Sequence, residues 1–218
     1  MPPEPLILSF DTSAARCAAA LLSGDRLLAE RSEDMERGQA ERLMPLLEEL
    51  LAEAGAGWRD LAAIGVGIGP GNFTGIRIAV AAARGLALAL AVPAIGVNGF
   101  EALALGQDGP VLCSLDGRRG RCWIAPPDQL DLAELTTPEE LAGALPVAFL
   151  ERDVIGHRAE EIAALTGGRA LPPAAPLAEA IARIAAARRA TPQQRPAPLY
   201  LRSADAAPPS DPPPAILP

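Results

Sequence analysis

The stretch IGVGIGPGNFTGIR, Ile64 to Arg77, sets Gly65, Gly67, Gly69 and Gly71 at alternate positions and follows them with Asn72, Thr74 and Gly75. Glycines at a strand-to-helix junction leave the backbone bare, so that amide N–H groups can approach an anion, and a helix N-terminus adds partial positive charge. The chemistry on offer is phosphate binding. The two common loop patterns are nevertheless missing: Gly69 leads to Thr74 and Gly75 with no lysine, and Thr74 stands where GxGxxG needs its third glycine. On these letters the segment is either a tight turn, with Asn72 or Thr74 capping the next helix, or a phosphate contact.

Other chemistry is sparse. Asp11 ends the first apolar run, where a carboxylate could orient a metal-bound phosphate or a water. Asp116, in CSLDGRRG, has the same placement in the second half, which hints at a duplicated lobe. Neither aspartate has a lysine, histidine or second carboxylate near it in sequence to act as a catalytic companion. His157 is the only histidine, so zinc sites built on paired histidines are impossible, and no metal is expected. A Ser-His-Asp triad would have to use this residue, whose place at a helix start in VIGHRAEEI fits a capping or surface role. Cys17, Cys113 and Cys122 are three in number and contain no CxxC pair, which fits a reducing cytoplasm.

The chain of 218 residues is 50% hydrophobic but only 3% aromatic, so its core must be aliphatic and stacking on bases is disfavoured. A net charge of −8 repels a phosphate backbone, and Arg118, Arg119 and Arg121 around Gly120 read as a solvated hairpin turn. The start, MPPEPLILSFD, has neither the basic region nor the long apolar run of a signal peptide or membrane anchor. The longest apolar segment, Ile76 to Val92, is interrupted by Arg77 and Arg84 and reads as a buried helix.

The elements that must position these residues follow from periodicity. Leu6–Phe10, Cys17–Leu22 and Arg26–Arg31 read as a three-stranded meander. Leu43, Leu47, Leu50 and Ala54 form a helical stripe, with Pro45 implying a start near Met44 or a kink there. Ile64–Ile68, a helix over Ile76–Ala91 and a strand reaching Val97 make a crossover unit. In the second half Val111–Leu115, Cys122–Ala125 and Val147–Leu150 read as strands. Thr137, Pro138 and Glu140 begin a capped helix, and Arg158–Thr166 and Leu177–Arg189 are further helices. After PLYLR the proline-rich tail reads as extended or disordered. Within the second helix Ala81, Gly85 and Ala89 recur every four residues, leaving a nearly featureless face that another helix could approach.

ILSFDTS, ERLMPLLEELL, GIGPGNFTGIRIA, ARGLALAL, PAIGVNGFEALA and PLYLR together resemble the TsaB family, over Leu6 to about Leu105 and more thinly beyond. The resemblance implies an α/β, actin-like two-lobed fold with mixed sheets flanked by helices: residues 1–105 as the first lobe, 106–203 as a reduced second lobe and 204–218 as the tail. It implies a scaffold without catalytic residues that pairs with TsaD and is joined by TsaE to make threonylcarbamoyladenosine in tRNA. ATP or ADP and a divalent metal would enter through those partners, tRNA only through the complex, and the chain alone would form a homodimer. Leu43, Leu47, Leu50, Ile78, Ala81, Gly85 and Ala89 are then the candidate interface, and Asp11, Thr12, Gly69, Gly71, Thr74 and Gly75 a degenerate phosphate loop. Where many members have histidine before the first helix, this chain has Gln39. The alternative is a stand-alone ATP-binding phosphotransferase using Asp11, Asp116 and magnesium. A peptidase would need His157.

Overall fold

A run of Leu, Ile and Phe closed by Asp11 forms β1 (Leu6–Asp11), buried along nearly its whole length as a central strand must be. The computed structural model describes residues 4–201, and the tail expected at 204–218 lies outside the described residues. β1 pairs antiparallel with β2 (Arg16–Ser23), and β2 with β3 (Arg26–Asp34). On its other side β1 runs parallel to β4 (Leu61–Gly67), which is parallel to β5 (Ala94–Val97), giving the order β3-β2-β1-β4-β5. Parallel neighbours need crossovers. Two helices supply them, α1 (Gln39–Glu53) before β4 and α2 (Phe73–Leu90) before β5.

Both helices press onto one face of this sheet. Leu43, Leu46, Leu47 and Leu50 of α1 and Ala79 and Ala83 of α2 share a core with Leu8 and Phe10. The opposite face is covered from far along the chain. Ile181, Ile184 and Ala185 of α6 (Leu177–Arg188) pack against Ile7, Leu22, Ala63 and Ile95. By packing, α6 of the 106–203 stretch thus lies on the first sheet. Gly65 on β4 permits this closeness, since a Cβ there would stand 3.0 Å from Ile181 Cγ2 and from Ala185 Cβ.

After α3 (Gly99–Leu103) the pattern repeats on a smaller scale. β6 (Val111–Asp116) is antiparallel to β7 (Cys122–Ala125), which is antiparallel to β8 (Glu134–Thr136). β6 is parallel to β9 (Asp153–Gly156), and β9 to β10 (Ala170–Leu171), giving β10-β9-β6-β7-β8. Read from its other end this is the order of the first sheet. α4 (Pro138–Gly143) and α5 (Ala159–Thr166) occupy the chain positions of α1 and α2. Register matches too, for Ser9 faces Gly65 across β1–β4 and Ser114 faces Gly156 across β6–β9. Asp11 and Asp116 therefore close equivalent strands, and the duplication hinted at by their placement is a property of the fold.

Three readings of local structure change. α1 starts at Gln39 and runs through Pro45 instead of starting near Met44; Pro45 is exposed, so its ring faces solvent while the leucine stripe holds the helix down. Val147–Leu150 is not a strand. Val147–Phe149 forms one 3-10 turn after Pro146, with Phe149 buried as an anchor and Val147 83% exposed, and the strand falls at Asp153–Gly156. The short β8 and β10 carry too few apolar residues to show in periodicity.

Candidate functional site

The glycine segment leaves β4 and lands against the β1–β2 turn. Gly69 has φ 101°, a left-handed value that suits glycine. A Cβ on Gly67 would collide with the Asp11 carboxylate, on Gly71 with the Ser13 carbonyl, and on Gly75 with the Thr12 carbonyl. The bare backbone is thus filled by the protein's own first turn. Asn72 N donates to Ser13 O at 2.7 Å, and the Thr12 hydroxyl donates to Gly75 O at 2.7 Å. Asn72 stands at the helix N-cap but makes no side-chain capping bond, and Thr74 is exposed.

Asp11 is held inside this turn at 2% exposure. Its Oδ1 accepts from Ser13 N at 3.0 Å and Ser13 Oγ at 2.8 Å. Burial raises its pKa above the ordinary carboxylate value, while the Ser13 bonds and the charge of Arg16 pull it down. Of the six residues expected to form a phosphate loop, Thr12 and Gly75 meet directly, Asp11 and Gly71 are joined through Ser13, and Gly69 faces Ile76 and the Leu199 carbonyl instead. The junction behaves as a turn that locks the start of α2 to the end of β1.

The equivalent aspartate of the second lobe is open. Asp116 keeps 38% of its side chain exposed and lies 4.0 Å from His157 Nε2. Both line a cavity of about 370 Å³ between the lobes, with Arg16 and Glu30 on its other wall. Sequence reading had not paired Asp116 with His157; the parallel register of β6 and β9 brings them together. No group of three or more His, Cys, Asp or Glu side chains suited to a metal occurs among the described residues.

The interface candidates divide. Leu43, Leu47 and Leu50 are core residues, 0–1% exposed, because the apolar stripe of α1 faces its own sheet. Ile78 is half-buried against the same core. Ala81, Gly85 and Ala89 are exposed, and nothing lies within 4 Å of a Cβ built on Gly85. Leu88 beside them is 84% exposed. α2 is long and apolar enough by composition to cross a membrane, yet its Ile76, Ala79, Val80 and Ala83 are buried against the sheet. The helix expected to be covered on most sides thus shows a bare outer face.

An unexpected element borders that face. Residues 193–201 run back along α2, where Arg84 Nε donates to Pro196 O at 2.6 Å and Arg77 Nε donates to the Tyr200 hydroxyl at 2.8 Å. The Arg77 guanidinium sits 3.7 Å from the Phe73 ring centroid, and the Phe73 and Tyr200 rings are 4.9 Å apart. Leu199 N donates to Ile68 O, tying this strap to the glycine segment. In sequence Arg77 and Arg84 only interrupt an apolar run; that both hold this strap came only with the fold.

Two sheets of order 3-2-1-4-5, with a turn closed on the first strand of each, define the actin-like two-lobed class. Residues 31–143 match the family model described as TsaD: tRNA N6-adenosine threonylcarbamoyltransferase. An uncharacterized protein with similarity to peptidase YEAZ from Pseudomonas aeruginosa is 30% identical, with a TM-score of 0.65 over 91% of this chain and 100% of that one. YeaZ from Pseudomonas aeruginosa is 27% identical at a TM-score of 0.65, over 90% of this chain and 99% of that one. The search of curated proteins returned no match. The chain belongs to the TsaD family, in its YeaZ or TsaB-like branch.

Proposed function

We propose that this protein is a non-catalytic scaffold subunit. It acts with TsaD and TsaE in transferring threonylcarbamoyl from threonylcarbamoyl-AMP to the tRNA adenosine next to the anticodon. The observation that carries the reading is the bare face of α2, with Ala81, Gly85, Leu88 and Ala89 exposed on a helix anchored firmly from behind. A stripe of small residues lets a second helix approach closely, and an exposed leucine gains by being covered. TsaD is the partner this reading assigns to the face, with a second copy of the chain taking its place when TsaD is missing. Nucleotide and metal belong to TsaD and TsaE, and tRNA is met through the assembled complex in the cytoplasm.

An independent phosphotransferase is less well supported, since Asp11 would have to face a magnesium ion and is instead enclosed by Ser13, Gly67 and the loop. The test is threonylcarbamoyladenosine formation in a mixture of TsaC, TsaD and TsaE, with the chain present or omitted. Dependence on the chain, together with loss of the TsaD complex in Gly85→Leu, is the expected result. Full modification without the chain would overturn the reading.

A further inference from the structure

The β6–β7 hairpin turns through residues 117–121, and three arginines stand in it. Arg118 O accepts from Arg121 N at 3.0 Å, and both residues between them, Arg119 (φ 52°) and Gly120 (φ 76°), are left-handed. Arg118 is left-handed as well, at φ 63°. A mirror-image turn of this kind selects Asn-Gly or Asp-Gly, because a short polar side chain or none tolerates the geometry. Arginine at two successive left-handed positions runs against that local preference.

Folding does not call for these side chains. Both are exposed, and neither forms an ion pair among the described residues. The backbone that carries them is nonetheless held from several sides. Asp116 Oδ1 accepts from Arg118 N at 2.8 Å, and Gly117 N donates to Arg121 O at 2.8 Å. Arg158, a third left-handed arginine at φ 53°, donates from Nη1 to Gly120 O at 3.0 Å, and Glu161 and Glu139 neutralise it. Arg121 is spoken for by Leu135 O and Glu140. What remains is a braced tip presenting two uncompensated guanidinium groups on a chain of net charge −8.

Arginine kept at left-handed positions where its side chain makes no hydrogen bond or ion pair among the described residues points to work done outside the chain. Guanidinium groups match phosphate oxygens in pairs of hydrogen bonds, and two adjacent ones suit successive phosphates of a backbone. We propose that Arg118 and Arg119 contact the tRNA phosphate backbone once the chain is in its complex. This rests on the function proposed above. The acidic remainder of the surface makes the contact local, so it positions RNA held mainly by other subunits and carries no sequence preference.

The experiment is tRNA binding by the reconstituted complex over a series of salt concentrations, with an Arg118→Asn, Arg119→Asn double variant. Asparagine is favoured by the left-handed turn, so the variant is expected to melt no lower than the parent. Affinity should fall about tenfold at moderate salt, and the slope of log affinity against log salt should shrink by about one per lost phosphate contact. The double lysine variant should keep most of the affinity. Unchanged affinity and slope, in a complex whose modification activity still depends on the chain, would overturn the proposal. So would loss of assembly on size exclusion, which would make the turn a protein contact. If modification needs no chain at all, the proposed function fails, and an unchanged salt slope in the variant would separately sink the RNA contact.

Discussion

The same substitution at two glycines ten residues apart on α2 should have opposite signs. At Gly85 a Cβ meets nothing within 4 Å, so alanine adds only helix propensity, about 1 kcal/mol of stabilisation. At Gly75 the new Cβ falls on the Thr12 carbonyl, which is backbone and cannot rotate aside. Relief requires the β1–β2 turn to part from α2. That loosens the Thr12 hydroxyl bond to Gly75 O and the Asn72 bond to Ser13 O, each worth about 1 kcal/mol, on top of an overpacking cost of roughly 1–3 kcal/mol. Less the roughly 1 kcal/mol that alanine gains in helix propensity, a net loss of about 3 kcal/mol follows. For a chain of 218 residues each kcal/mol moves the melting temperature by about 2–4 °C, so Gly85→Ala should melt about 2–4 °C higher and Gly75→Ala roughly 6–12 °C lower. Circular dichroism melts of the two variants beside the parent decide it. Equal shifts of the same sign would refute the claim that the glycine segment is a packed turn whose neighbouring helix face is open. The open space at Gly85 also means that Gly85→Leu tests assembly without first destabilising the subunit.

Three other outcomes are expected. Burial raises the Asp11 pKa, so the folded protein holds that proton more tightly than the unfolded chain. Its contribution therefore falls as pH rises from about 4 through the raised value, and melts at acid and neutral pH should show this component disappear in Asp11→Asn. Arg84→Ala should free the Pro196 carbonyl and speed hydrogen exchange at Leu199, whose N–H donates to Ile68 O, with little change at β1. Burial pushes the Cys17 thiol up to about 11 and Cys113 up to about 12, and all three cysteines are enclosed. Thiol reagents at pH 8 should thus label the native protein negligibly and the denatured chain fully.

Legibility followed local chemistry. Thr137, Pro138 and Glu140 show a capping box whose parts lie within one turn, and the observed bonds close it, Glu140 N to Thr137 Oγ1 and Thr137 N to Glu140 Oε2. The meander and crossover of the first lobe were visible because Leu, Ile and Val recur at strand and helix periods. The second-lobe strand at Asp153–Gly156 was not, since Val154 and Ile155 are too short a run to stand out beside Val147–Leu150. In the candidate site the glycines marked a close approach, yet the letters could not say what approaches. The Thr12 and Ser13 carbonyls stand where side chains on Gly75 and Gly71 would go, a tertiary fact set by β1–β4 register. The leucines of α1 carried the same ambiguity, because a helical apolar stripe looks alike whether it meets its own sheet or another protein.

α6 has a consequence for the order in which the protein can come together during synthesis. The hydroxyl of Ser9 donates to Ala178 O across 169 residues of chain, and the face of the first sheet bearing Ile7, Ala63 and Ile95 takes most of its cover from α6, with Ala102 and Leu105 at its margin. An emerging N-terminal half therefore stays greasy on one side until α6 leaves the ribosome. Expressing residues 1–105 as a separate piece should yield a sticky fragment, and supplying the remainder in trans should rescue it.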